Sequence, residues 1–148
     1  MPRQASASIP PLPTGFGRLG TLHAYREEGP LLFVHTNGTL SLEDMQAIFQ
    51  LHAKIKKEYG YLLVLYDARN GGSMDAQARK YAAEHTRPEV MHTAAAIFNI
   101  PYHARVIATL VNRAIKVLSK LPIGPMEFFA TEAEARAFLD TFRQNSSK

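Results

Sequence analysis

Cysteine is missing from this chain, and so is tryptophan. Without cysteine there can be no disulfide framework, no thiolate zinc site and no cysteine nucleophile. Paired metal-ligand spacing is missing too. The six histidines never fall into a His-x-x-x-His pattern, so neither a metal nor a cofactor is expected. There is no membrane-length apolar run, because the longest helical one, Val106 to Leu118, is interrupted by Asn112, Arg113 and Lys116. The N-terminus lacks the basic-then-apolar order of a signal peptide, which makes a cytoplasmic protein the expectation. Acidic residues are absent from positions 101 to 120, where Arg105, Arg113, Lys116 and Lys120 equal the whole-chain excess of +4. A surplus confined to one segment suits phosphate, a lipid headgroup or an acidic partner, and does not indicate a specific nucleic-acid binder.

What is present is the composition of an ordinary globular domain. With 148 residues, 46% of them hydrophobic and 20% charged, the chain can bury a core without a covalent staple. Residues 1–18 carry Pro2, Pro10, Pro11 and Pro13 with no hydrophobic period and read as a flexible arm. The folded unit is expected over 19–145.

Two short extended runs, Leu19 to Arg26 and Leu31 to Thr36, flank Glu27-Glu28-Gly29-Pro30 and predict an antiparallel hairpin. Ser41 with Asp44 three residues on predicts a capped helix from Leu42 to about Glu58, closed by Gly60. His52, on the inner face of that helix, reads as a hydrogen-bonded residue at the edge of the core. The nearly continuous apolar run Tyr61 to Asp67 predicts a strand buried on both faces, the mark of a sheet flanked by helices. A helix from Ser73 to about His85 follows, then a second interior strand at Thr93 to Phe98. The third helix, after Asn99-Ile100-Pro101, carries an apolar stripe of Ile107, Leu110, Val111, Ala114, Leu118 and Leu121, with Arg113, Lys116 and Lys120 on the opposite, basic face. Met126 to Ala130 reads as the last strand, and Thr131-Glu132-Ala133-Glu134 is a complete capping box opening the final helix. The fold class is therefore α/β. We expect one domain with a five-stranded mixed sheet, an N-terminal antiparallel hairpin followed by parallel strands, and about four helices.

This order of elements, over residues 19 to 143, resembles the STAS domain, the fold of anti-sigma factor antagonists and of the cytoplasmic tails of sulfate transporters. The pieces Leu62-Leu63-Val64-Leu65-Tyr66-Asp67, His103-Ala104-Arg105 and Phe128-Phe129-Ala130-Thr131-Glu132-Ala133-Glu134-Ala135 resemble a bacterial subgroup of stand-alone STAS-like proteins. That subgroup is also likened to the CRAL-TRIO lipid-exchange domain, and most of its members have no assigned function. The resemblance implies helices stacked along one side of the sheet. In the anti-sigma factor antagonists a phosphorylatable serine opens the helix after the second core strand, close to an aspartate. Asp67 and Ser73 are the residues that could take those places, although Ser73 stands six positions after Asp67 instead of in a compact Asp-Ser turn.

In open parallel sheets ligands bind beyond the carboxyl ends of the strands. Asp67, Arg69, Asn70, Gly71, Gly72 and Ser73 lie at one such end, and Asn99, His103 and Arg105 at the next. The glycines allow close backbone approach, and the arginines could bind a phosphate or carboxylate. Gly71-Gly72-Ser73-Met74-Asp75 half-matches a nucleophile elbow, with His85, His92 and His103 as possible bases, but its last glycine is an aspartate. The sequence thus favours a non-enzymatic binding or regulatory module with a protein partner, switched by phosphorylation at Ser73 or self-associating as a homodimer. The alternative is a carrier or sensor of a small apolar or lipid-like ligand, and a serine hydrolase is a remote third. The basic face adds an acidic partner or an anionic membrane surface as possible contacts.

Overall fold

The computed structural model describes residues 9–71, 73–119 and 123–143. Strands β1 (Gly17–Leu19), β2 (His23–Glu28), β3 (Leu31–Asn37), β4 (Leu63–Asn70), β5 (Ala94–Phe98) and β6 (Met126–Phe129) form one sheet in sequential order. The pairs β1–β2 and β2–β3 are antiparallel, and β3–β4, β4–β5 and β5–β6 are parallel. Four α-helices accompany them: α1 (Leu42–Tyr59), α2 (Ala76–His85), α3 (Tyr102–Ser119) and α4 (Glu132–Asp140). A short 3-10 helix, Pro88–Val90, precedes β5.

Among the described residues the sheet has six strands where five were expected. The run read as one strand from Leu19 to Arg26 is broken at Gly20, whose φ of +63° turns the chain, so that Leu19 pairs with His23. Gly17 and Arg18 thereby join the sheet as part of β1, and Phe16 packs edge-on against Phe33 with ring centroids 5.3 Å apart.

Alternation along β4 explains the two cores. Val64 faces α1 and α2 together with Leu32, Val34, Ile48 and Ile55. Leu63 and Leu65 face the other way, against Ala135 and Leu139 of α4. The unbroken apolar run is the sequence of a strand covered on both sides, as expected. Helices are not confined to one side of the sheet, as the resemblance had implied: α4 covers the face opposite α1 and α2.

Helix α1 starts with the expected capping box of Ser41 and Asp44 and ends at Gly60, whose φ is 85°. Helix α4 opens with the box of Thr131 and Glu134. Helix α2 starts later than expected: Asp75, not Ser73, is the N-cap, and its carboxylate accepts from Ala78 N–H at 2.8 Å.

Candidate functional site

The carboxyl ends of β3, β4 and β5 form one rim, and Asp67 is its structural centre. Asp67 is buried, and its Oδ2 lies 3.2 Å from His35 Nδ1. Its Oδ1 accepts from the Arg69 backbone N–H at 3.1 Å and from Asn99 Nδ2 at 3.3 Å, while its carbonyl accepts from Thr36 Oγ1 at 3.0 Å. Asn99, at φ 62°, turns the chain from β5 towards α3 in a left-handed conformation that asparagine tolerates well. This carboxylate is spent on holding three chain segments together.

Asn70 Nδ2 donates to Asn37 Oδ1 at 3.2 Å, and Gly38 N–H donates to Asn70 O at 2.6 Å, so β3 and β4 are tied at their tips. Gly71 is required there, since a Cβ would stand 2.5 Å from Thr36 Oγ1. Ser73 Oγ lies 3.0 Å from Thr39 Oγ1, and Leu40 bridges to Met74. A threonine hydroxyl cannot serve as a general base, and His85 Nδ1 is engaged with Tyr81 O at 3.1 Å. The anion-attracting start of α2 is already occupied by the Asp75 carboxylate. Asp67 and Asn99 are thus brought together, Arg69, Asn70 and His103 are exposed, and Arg105 sits apart, its guanidinium 5.1 Å from the Phe128 ring centroid. Gly72 and Lys120 lie outside the described residues, as does the side chain of Lys116.

The residues that gather around open space lie one layer below this rim. A half-open cavity of about 180 Å³ lies between the sheet, α1, α2 and the inner side of α3. Val64, Tyr66, Ala95 and Ile97 supply its floor, and Ala82, Ala108 and Asn112 contribute from the helices. Every methionine except Met1 is in its wall: Met45, Met74, Met91 and Met126. Methionine is the side chain best able to reshape around different apolar guests. Ser73 reaches the cavity wall, whereas Asp67 points to the opposite side of the sheet with His35 and Phe16.

The cavity carries two unusual polar groups. Burial pushes the Tyr66 phenol up to about 12. His52, on the inner face of α1, is pushed down to about 4, chiefly by burial and further by nearby His92, against an opposing hydrogen bond to Val90. The expectation of a hydrogen-bonded core histidine holds for one ring nitrogen, with Nδ1 3.0 Å from Val90 O. The other nitrogen, Nε2, is buried without a hydrogen-bond partner among the described residues.

Helix α3 is rotated from its expected orientation. Ala104 is buried, and Ala108 and Asn112 line the cavity, so this small-residue edge faces inward. At about 100° per residue, Tyr102, Val106, Leu110, Arg113 and Val117 then fall on the far side. Leu110 and Ala114, expected in the core, are exposed, and Val117 is 71% exposed. Arg105 and Arg113 are exposed as expected, but they share the surface with apolar neighbours instead of forming a purely basic face. The side chains of Ile107, Val111 and Leu118, also expected in that apolar stripe, and the whole of Leu121 lie outside the described residues.

No helix among the described residues is long and apolar enough to cross a membrane. No curated protein matches the sequence. Residues 24–143 match a family model described as a domain of unknown function, DUF7793. Among solved structures, the chain is similar to an uncharacterised DUF3478-family protein with a SpoIIAA-like fold from Shewanella loihica PV-4. It is 18% identical, with 83% of this chain and 99% of that one covered and a TM-score of 0.50. It is also similar to the anti-sigma factor antagonist SpoIIAA in its unphosphorylated form, at 14% identity, with 79% and 98% covered and a TM-score of 0.51. At these identities the likeness establishes the fold alone, a SpoIIAA-like one, in line with the STAS-like fold that the sequence resemblance had suggested.

Proposed function

The chain belongs to the DUF7793 family, and from that premise we propose that it is a non-enzymatic binding module whose small apolar ligand lies in the cavity beneath α3. The cavity itself carries the reading. Close packing is the norm in protein interiors, and an engineered cavity of roughly 150 Å³ is enough to take up benzene. The cavity here is of that order, with a wall of methionine, alanine and branched aliphatic side chains. Its size suits one or two small rings, and its position under α3 gives the ligand a way to influence the outer surface of that helix.

An NMR titration with indene, a two-ring hydrocarbon, tests this. Resonances of Val64, Tyr66 and Met126 shift, those of the rim residues Arg69 and Asn70 do not, and Ala108→Leu removes the response while the protein stays folded. Absence of any shift with excess indene and with excess indole, its N–H analogue, removes the proposal.

A second reading rests on a separate observation. The outer face of α3 exposes Tyr102, Val106, Leu110 and Val117 beside Arg105 and Arg113, a pattern that suits docking onto an acidic protein surface. Here a protein partner engages α3 and leaves the rim loop free for regulation at Ser73. Sedimentation with vesicles, with and without anionic lipid, separates a protein-docking surface from a membrane-binding one.

A further inference from the structure

Building on the apolar-ligand reading, we infer that Nε2 of His52 is the cavity's hydrogen-bond acceptor, and that the ligand is a neutral apolar molecule carrying an N–H or O–H donor.

The tautomer follows from geometry. Val90 O is a carbonyl and can only accept, so the proton shared over the 3.0 Å contact belongs to His52 Nδ1. The neutral ring then presents a lone pair at Nε2. That atom is buried and unpartnered among the described residues, and the residue as a whole is only 6% exposed. An orphaned acceptor in such a place is unfavourable until a donor reaches it.

The ring cannot readily turn to find another partner. It is held on α1, stacks on Phe49 with centroids 5.8 Å apart, and is anchored to Val90. His52 belongs to the cavity wall, so a guest in the cavity can supply the missing donor. Its low proton affinity keeps the imidazole neutral near pH 7.

The same geometry rejects anions. A carboxylate or phosphate offers only acceptors to the Nε2 lone pair, and the apolar wall would leave its charge unsolvated. Phenols, alcohols, indole-like N–H compounds and neutral amides are the class that fits.

Indole and indene test this, since they match in shape and differ in one N–H. The unaltered protein binds indole about tenfold or more tightly than indene, as expected when a buried acceptor gains or lacks its donor. His52→Phe abolishes that preference and retains indene binding. Ring-nitrogen NMR of the unaltered protein needs no variant: the unprotonated Nε2 signal moves upfield with indole and stays in place with indene. Equal affinity for the two compounds overturns this inference and leaves the apolar-ligand reading intact. A preference for indole with the Nε2 signal unmoved also overturns it, because another acceptor is then responsible. If neither compound binds, both readings fall.

Discussion

His23 and Asp44 form a buried pair, with imidazole Nε2 3.0 Å from carboxylate Oδ2. The Asn37 backbone N–H donates to His23 Nδ1 at 3.0 Å, so Nδ1 accepts and Nε2 carries the proton given to Asp44. The same Oδ2 takes the Ser41 backbone N–H at 2.9 Å. One carboxylate thus completes the cap of α1 and joins it to β2, while the other side of the imidazole holds the end of β3.

His23→Phe removes a fully buried donor and acceptor together and leaves Asn37 N–H and Asp44 without their partner. We expect a loss of roughly 2–4 kcal/mol in urea unfolding. Asp44→Asn retains an oxygen acceptor and is expected to cost about half as much. Unfolding of His23→Phe at the same urea concentration as the parent would show that the pair is ornamental.

Gly20 and Gly29 give a matched test of what surrounds that pair. Both have left-handed backbone, at φ +63° and +61°, but a Cβ on Gly20 would overlap Asp44 Oδ1, and one on Gly29 would meet nothing within 4 Å. Gly29→Ala is expected to cost about 1–2 kcal/mol from backbone strain alone. Gly20→Ala is expected to cost about 2 kcal/mol more, since it also displaces the carboxylate. Equal losses in thermal unfolding would mean that Asp44 moves aside freely.

The contrast between Gly20 and the strands shows how much a sequence carries. The two-faced burial of Leu63 to Leu65 and the capping boxes at Ser41 and Thr131 follow from local chemistry, and each is legible in the order of residues. The break at Gly20 was not legible, because a lone glycine inside an apolar run reads equally as a bend or as a strand residue. The cavity was harder still. Its methionines, Met45, Met74, Met91 and Met126, lie far apart in the chain and are brought together only by the sheet order. His52 was legible as a residue of an inner helical face, but the missing partner at Nε2 depends on where Val90 ends. The composition does hold a trace of this. Three of the cavity's lining residues, Ala82, Ala95 and Ala108, have side chains too short to fill the space between helix and sheet.

Glu28 and Arg136 connect the antiparallel hairpin to the final helix. Arg136 donates from Nη1 to Glu28 Oε1 at 2.8 Å and from Nη2 to Oε2 at 3.1 Å, and its Nε reaches Glu132 at 2.7 Å. The Arg136 hydrogen bond, opposed by burial and helped by Arg26, holds the Glu28 carboxyl below its ordinary 4.5. A carboxyl lowered in the folded state contributes stability above its unfolded pKa and loses it as pH falls through the folded value. Glu28→Gln is therefore expected to cost about 1 kcal/mol at neutral pH, after allowance for solvent screening, and nothing at pH 2. Melting temperatures of the two proteins that run parallel from pH 7 to pH 2 would rule this out.

His52 makes the opposite kind of acid sensitivity. Its imidazole is held down to about 4 from an ordinary 6.5, mainly by burial, with His92 adding to the effect and Val90 opposing it. Below pH 6.5 the unfolded chain takes up a proton at this position and the folded one does not, so the unfolded state binds more protons and stability falls with pH. The loss accumulates between pH 6.5 and about pH 4 and levels off below that, once the folded ring also protonates. Its full size is roughly 3 kcal/mol. His52→Phe, which cannot titrate, should lose this part of the slope while keeping the one due to Glu28. Indole, by occupying the neutral ring, should make acid unfolding of the parent begin at lower pH, and indene should shift it less. Chemical-denaturation midpoints measured at half-unit steps from pH 7.5 to 3.5 would reveal both effects. An unchanged slope in His52→Phe would mean that the buried ring gains its proton as readily as a free one.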